Sequence, residues 1–381
     1  VTAPVVGGHA AAPRVEPPIV QLLSPEGERV EHPDYSVDVG RDELRAFYRD
    51  LVLVRRIDAE ATALQRQGEL GLWASLLGQE AAQIGSGRAL APQDYVFPTY
   101  REHAVAWCRD VDPVTLLGLY RGVNLGGWNP AEHNFHLYTI VIGSQTLHAT
   151  GYAMGIQRDG AVGTGDPTRD AATIAYFGDG ATAQGDVNEA FVFASVFNAP
   201  VVFFCQNNQW AISVPNERQT RIPLYQRAAG FGFPGVRVDG NDVLAVHAVT
   251  TKALDRARGG EGPTFIEAYT YRMGAHTTSD DPTRYRIAAE VEEWKLKDPI
   301  ARLKVHLART GQADDAYFGE VEQESDRLAE HVRSACLSMP DPDPVTMFDH
   351  VHRDGHALVD EERAWFQAYH AGFADADGGA R

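Results

Sequence analysis

Residues 171–213 read AATIAYFGDGATAQGDVNEAFVFASVFNAPVVFFCQNNQWAIS, and the punctuation of this stretch decides the fold. Two short apolar runs, 171–177 and 201–205, flank a helical stretch at 186–197. Apolar runs of this length bounded by Gly, Asn and Pro read as buried strands. Strand, helix and strand in that order form a βαβ unit, whose right-handed crossover makes the two strands parallel and usually close. Gly178-Asp179-Gly180 and Asn207-Asn208 therefore both emerge at the carboxyl ends of the strands, where open α/β sheets bind their ligands.

The residue types at those two tips suit a metal-bound anion. Asp179 offers a carboxylate oxygen, Asn208 an amide oxygen and the following turn the carbonyl of Trp210. All three are hard ligands, and Mg2+ takes six such oxygens, with water and ligand phosphate supplying the remainder. Gly178 and Gly180 let the backbone approach a ligand, and the N–H groups of Gly180 and Ala181, opening the next helix, receive an anion such as a diphosphate. The same glycines also fit an ordinary strand-to-helix turn or a dinucleotide fingerprint. A dinucleotide site, however, needs GxGxxG spacing and an acidic residue ending the second strand. Here Gly185 is out of register and the second strand ends in Gln206, Asn207 and Asn208.

Outward from this unit the alternation continues, with further strands expected at 236–238 and 264–270. The expected fold class is α/β, a mainly parallel central sheet flanked by helices, with an N-terminal arm and a helical C-terminal extension. Residues 1–40 read as a flexible arm, since 1–20 lack the basic start and apolar block of a signal peptide. Asp42 is expected to cap a helix that carries Leu44, Phe47, Tyr48, Leu51, Ile57 and Leu64 until Gly68 ends it. The main domain is placed at 41–313. From Asp314 the pattern turns helical and charged, is broken by PDPDP at 340–344, resumes as an amphipathic stretch at 361–373 and ends in a loose tail, 374–381.

Composition narrows the function classes. With 381 residues, 44% hydrophobic and 23% charged, a globular enzyme is expected. A formal net charge of -18 without clustered Lys or Arg argues against nucleic acid or an acidic membrane as partner. The most apolar stretch, 191–205, is interrupted by Ser195, Asn198 and Pro200 and is too short to span a bilayer. Cys108, Cys205 and Cys336 are odd in number and far apart, which suits inert thiols in a reducing cytoplasm. His103, His133, His136 and His148 lack zinc-site spacing.

The pairing of GDG with NN, together with QRQGELGLW (65–73), GQEAAQ (78–83), FPTYRE (97–102), IGSQTLHATG (142–151) and YRMGAHTTSDDPTRYR (271–286), resembles the E1 α subunits of branched-chain 2-oxo acid and pyruvate dehydrogenases. The resemblance runs from about residue 20 to 348. It implies thiamine diphosphate held through Mg2+ on Asp179, Asn208 and the Trp210 carbonyl. It implies cofactor contacts at Tyr100, Arg101, Gly178, Gly180, Ala181, Gln206 and His276, with Ile140 and Ile142 packing around the cofactor rings. Thr139, Val141, Ser144 and Gln145 correspond to a site for a monovalent cation such as K+. His276 is the implied catalytic residue, stabilising or protonating intermediates during acyl transfer.

The implied reaction is oxidative decarboxylation of a 2-oxo acid, with the acyl group passed to a lipoyl group on an E2 protein. The implied assembly is an α2β2 heterotetramer with an E1 β subunit that completes each site. The sequence departs from the relatives at three places: Thr277 and Ile287 stand where the animal branched-chain enzyme has regulatory serines, and Gln206 replaces a basic phosphate contact. The ungapped MGAHTTSDDPTRYR loop (273–286) and the FFCQNNQWAIS segment (203–213) look branched-chain-like, whereas IGSQ also resembles bacterial pyruvate enzymes. Two readings from other classes stay open: a nicotinamide-dependent dehydrogenase and a non-catalytic scaffold subunit.

Overall fold

The computed structural model describes residues 18–124 and 127–373. In chain order its main elements are α1 (Arg41–Arg66), α2 (Glu80–Arg88), β1 (Tyr95–Phe97), α3 (Ser144–Arg158), β2 (Thr173–Gly178), α4 (Gly185–Val196), β3 (Val201–Asn207), β4 (Trp210–Ala211), β5 (Val214–Pro215), β6 (Gly235–Asp239), α5 (Val243–Arg258), β7 (Thr264–Tyr269), α6 (Pro299–Arg309), α7 (Asp315–Leu337) and α8 (Ala357–Ala371). Five strands form one parallel sheet in the order β1-β2-β3-β7-β6, and β4 and β5 make a separate antiparallel hairpin.

Alternation along β3 explains the three layers. Val202 and Phe204 point into one apolar cluster, whereas Val201, Phe203 and Cys205 point into the other. The first cluster takes Leu51 of α1, Ala82 of α2, Leu244 of α5 and Leu303 of α6; the second takes Ala153 of α3 and Phe191 of α4. A strand buried on both faces has no polar alternation to show, which is why 201–205 reads as an unbroken apolar run. The crossovers through α3 and α4 lie on one face, while α5, between β6 and β7, lies on the other. The chain thus changes face between β3 and β7, and the β2–β3 tips stand beside that switch.

Two expectations at the N-terminal side are corrected. Helix α1 begins after Gly40, not Asp42: the Gly40 N–H donates to Glu43 Oε2 at 3.0 Å, and Asp42 lies within the first turn. The helix does end where expected, at the left-handed Gly68 (φ 86°). The arm is not free over its described part. Val20 pairs with β6 through Val20 N–H to Arg237 O (2.9 Å) and Asp239 N–H to Val20 O (3.0 Å). Val20, Leu22 and Leu23 are buried, so the arm covers a sheet edge whose backbone groups otherwise lack partners. One buried carboxylate, Asp242, accepts from the N–H groups of Leu22 and Leu23 (2.7 and 2.6 Å) and also caps α5 through Leu244 and Ala245. Residues 1–17 of the expected arm lie outside the described residues.

At the other end, α7 packs on α1 through Ala61, Leu64, Val332 and Cys336. Helix α8 buries no residue. The expected tail at 374–381 lies outside the described residues. Among those described, no helix is long and apolar enough to cross a membrane. The three cysteines are unpaired, and burial pushes the Cys108 thiol up to about 12.

Candidate active site

A cleft of about 860 Å3, open at its mouth, lies at the carboxyl ends of β2 and β3. Gly178 pairs with Gln206 across the two strands, so the next residues of each, Asp179 and Asn207-Asn208, leave the sheet side by side. Gly178, Asp179, Gly180 and Ala181 line one wall; Gln206, Asn208, Trp210, Ala211 and Ile212 line the adjoining one. A Cβ on Gly178 would meet nothing within 4 Å, so a side chain there would occupy open cleft. A Cβ on Gly180 would lie 2.7 Å from Ala211 Cβ, so the absent side chain lets β4 close over the turn.

The GDG turn continues as a short 3-10 helix, Asp179–Ala183, before α4 starts at Gly185. This corrects the expectation that Gly180 and Ala181 open the α-helix itself. The physical point survives in altered form, because the first N–H groups of a 3-10 turn also lack acceptors within it. Asp179 is 2% exposed, and burial lifts its carboxyl to about 6 although Gln219 Nε2 donates to it at 2.8 Å. A cation beside it would offset the cost of that buried charge. Asn208 turns its amide oxygen to the Trp210 N–H (3.2 Å) and its amide nitrogen to Gln79 Oε1 (3.1 Å). The Trp210 carbonyl accepts from Arg272 Nη1 at 3.0 Å. Carboxylate, amide and backbone carbonyl make an all-oxygen set of the kind Mg2+ takes. Among the described residues, no group of three or more His, Cys, Asp or Glu side chains is gathered for a metal.

Behind this wall runs a chain of buried polar groups. Glu102 accepts from the Thr99 N–H and hydroxyl (2.5 and 2.6 Å) and from Gln206 Nε2 (2.6 Å), and Gln206 Oε1 accepts from Gln83 Nε2 (3.1 Å). Burial raises the Glu102 carboxyl above the usual range. Gln206 is thereby fixed in orientation, with both ends of its amide engaged.

His276 closes the cleft from the loop after β7. Arg101 Nη1 donates to Ser75 O (2.6 Å), and its Nη2 donates to His276 O (2.8 Å) and sits 3.3 Å from His276 Nδ1. Arg272 Nη1 stands 3.3 Å from the same Nδ1. Two guanidinium donors facing Nδ1 require it to accept, which assigns the proton to Nε2. Burial, then Arg101 and Arg272, depress His276 to about 4, so the ring is neutral near pH 7 with Nε2–H as its donor. The His276 N–H donates to Asp280 Oδ2 at 2.9 Å, and Tyr285 OH bonds the same carboxylate oxygen. Tyr100 packs edge-on to His276 at 6.1 Å.

Of the expected site residues, Tyr100, Arg101, Ile142, Gln145, Gly178, Asp179, Gly180, Ala181, Gln206, Asn208, Trp210 and His276 line this one cleft. Ile140 does not: it is 74% exposed, three residues before the left-handed Gly143 that leads into α3. Thr139, Val141 and Ser144 also lie outside the cleft lining, and the Ser144 hydroxyl donates to the Val141 carbonyl at 2.9 Å. Gln145 donates to Tyr176 O at 2.8 Å, leaving its buried Oε1 without a partner among the described residues. Gln79, Thr99, Glu102, Ala211 and Ile212 line the cleft without having been singled out. For Gln79 and Glu102 the signal was their place inside GQEAAQ and FPTYRE, polar runs with no structural periodicity to explain them.

Residues 48–344 match the sequence family described as dehydrogenase E1 component. The chain is 44% identical over 336 residues to the 3-methyl-2-oxobutanoate dehydrogenase subunit alpha of Mycobacterium tuberculosis, covering 88% of this chain and 89% of that one. It is 40% identical over 307 residues to the pyruvate dehydrogenase E1 component subunit alpha of Staphylococcus aureus, covering 80% of each. The corresponding Staphylococcus epidermidis subunit is 39% identical over 307 residues, again with 80% of each chain covered.

Proposed function

Since the chain belongs to the dehydrogenase E1 component family, we propose that its cleft holds thiamine diphosphate with Mg2+ and that it serves as the α subunit of a 2-oxo acid dehydrogenase. The observation that supports this is a single cleft at the β2–β3 tips whose wall carries Asp179, Asn208 and Trp210 beside an open glycine turn. Thiamine diphosphate supplies the nucleophilic carbon and the electron sink for decarboxylating a 2-oxo acid.

The chain's own residues bind and orient. Asp179, Asn208 and the Trp210 carbonyl hold Mg2+, while the N–H groups of Gly180 and Ala181 take the diphosphate, with Gly178 leaving room for it. Tyr100 and Arg101 flank the same end, Gln206 offers a neutral amide, and Ile142 packs against the cofactor rings. Ile140 lies outside the cleft lining of the α chain and stays among the proposed cofactor contacts, exposed where a β subunit that completes the site would cover it. His276 would act through Nε2–H, stabilising or protonating the reacting groups during acyl transfer to a lipoyl group on an E2 protein, whose disulfide is reduced as it takes up the acyl group. The unpartnered Gln145 Oε1 supports a monovalent cation such as K+ near Thr139, Val141 and Ser144.

The rest of the assembly is an α2β2 heterotetramer with an E1 β subunit, in the cytoplasm, a setting that the three unpaired thiols suit. A branched-chain substrate, 3-methyl-2-oxobutanoate, is preferred on the strength of the 44% identity over 88% of the chain; pyruvate is the second reading, carried by the staphylococcal relatives.

The test is made on the assembly with its β partner. Calorimetric titration with thiamine diphosphate is expected to show Mg2+-dependent binding, lost in Asp179→Ala. Initial rates on 3-methyl-2-oxobutanoate and on pyruvate then assign the substrate. Unchanged binding in Asp179→Ala refutes the metal site, and full decarboxylation by the α chain alone refutes the shared one.

A further inference from the structure

Gln79 immediately precedes α2, is 1% exposed and lines the cleft, yet the roles set out above give it no task. Its orientation follows from the backbone next to it. The Trp210 N–H is a donor whatever else changes, so the Asn208 side-chain atom 3.2 Å from it is the amide oxygen. The amide nitrogen of Asn208 must then face Gln79, and the Gln79 atom 3.1 Å away must be the acceptor Oε1. What remains is Gln79 Nε2, a buried donor with no partner among the described residues, in the wall of the cleft. Buried donors are rarely left unsatisfied, so this one calls for an acceptor from a ligand.

The backbone holds Gln79 in place for that task. Gly78 sits at φ 95°, and a Cβ there would lie 2.3 Å from the Tyr271 carbonyl oxygen. Thr270 Oγ1 donates to Gly78 O at 2.7 Å, and the Gly78 N–H donates to Glu80 Oε2 at 3.0 Å. The turn is thus pinned to the end of β7 and to α2 before any ligand arrives.

We propose that Gln79 is a cofactor-binding residue that joins the metal and the anion: Oε1 keeps the Asn208 amide oxygen turned toward the cation, and Nε2 donates to an oxygen of the diphosphate. This rests on the reading of the cleft as a thiamine diphosphate site. The diphosphate is the acceptor because Gln79 is bonded directly to Asn208, and the anion that shares the metal with Asn208 is the pyrophosphoryl group.

Two variants separate the two ends of the amide. Gln79→Glu keeps an oxygen for Asn208 but replaces the donor with an anionic oxygen; Gln79→Leu removes both. In the assembly with the β partner, the dissociation constant of thiamine diphosphate at saturating Mg2+ is expected to rise at least tenfold in both, and further in Gln79→Glu. Thiamine, which lacks phosphate, is expected to compete for the site with an inhibition constant within twofold of wild type. The KM for the 2-oxo acid at saturating cofactor is expected to stay within twofold. Thermal unfolding of the cofactor-free assembly reports folding, and the isosteric Gln79→Glu carries the test if Gln79→Leu does not assemble. A cofactor dissociation constant within twofold of wild type in folded Gln79→Glu overturns the proposal. So does an equal weakening of thiamine, or a raised KM with unchanged cofactor affinity, which moves the acceptor to the rings or to the substrate. If the wild-type assembly binds no thiamine diphosphate, the reading of the cleft itself has failed; if it binds and only the variants are silent, the role of Gln79 has.

Discussion

Replacing Arg101 by Met keeps the length of the side chain and removes the charge that ties the His276 loop to the body of the domain. The guanidinium donates to two part-buried carbonyls, Ser75 O at 2.6 Å and His276 O at 2.8 Å. A hydrogen bond from a charged donor contributes about 1.5–3 kcal/mol, so two at the lower end sum to about 3 kcal/mol. At about 1.36 kcal/mol per factor of ten, that corresponds to a rise of roughly a hundredfold in the open population of the loop. Hydrogen exchange by mass spectrometry on the assembly reads this directly, because peptides spanning 274–280 exchange through local opening. The expected result is exchange about a hundredfold faster there, with β2 and β3 unchanged. Exchange within threefold of wild type would refute the reasoning. It would mean that Arg272 and the Trp73–Thr278 pair, whose backbone N–H and hydroxyl contacts are 2.9 and 3.0 Å, hold the loop unaided.

Gly78→Ala places a methyl group 2.3 Å from a backbone oxygen at a left-handed residue, and strain of that kind costs about 3 kcal/mol or more; a thermal midpoint within 1 °C of wild type would contradict it. His103 is buried between Tyr138 OH (2.7 Å) and Ala74 O (2.9 Å), stacked on Trp73, and burial depresses it to about 3. Its folded pKa lies below the unfolded value of about 6.5, so the unfolded chain takes up the extra proton in between. The stability it contributes is present above pH 6.5 and is lost as the pH falls toward 3, with a slope of up to about 1.4 kcal/mol per pH unit. Denaturant midpoints from pH 7.5 to 4 are expected to fall less steeply in His103→Phe; parallel curves would remove this histidine from the acid limb.

What was legible in the sequence was what a period or a turn residue announces. The runs at 171–177 and 201–205 gave β2 and β3, observed at Thr173–Gly178 and Val201–Asn207, and the GDG and NN tips were read as neighbours from the crossover alone. Strand β1 was missed because Tyr95–Phe97 is three residues long and carries no pattern. Gly40 was passed over as a helix start because its cap is made by the Glu43 side chain, and Asp42 is the more conventional capping type. Gln79 and Glu102 stand inside two of the quoted motifs, but their place in the wall was not foreseen, because they reach Asn208 and Gln206 from more than a hundred positions away and no local pattern announces such a meeting. Ile140, expected at the cofactor rings, lies outside the cleft lining of the α chain and is exposed there.

The carboxylate of Asp242 sets an order of events in the making of the molecule. Leu22 and Leu23 close onto it across 220 and 219 positions, so the piece of chain that leaves the ribosome early can settle only after most of the sheet has been synthesised. From the emergence of β6, which lies just before residue 242, until the arm docks, the flank of that strand is bare and presents to its neighbours a ribbon of backbone that the mature protein conceals. Anything that delays Leu22 and Leu23 from finding residue 242 therefore lengthens the interval in which nascent copies can stick to one another.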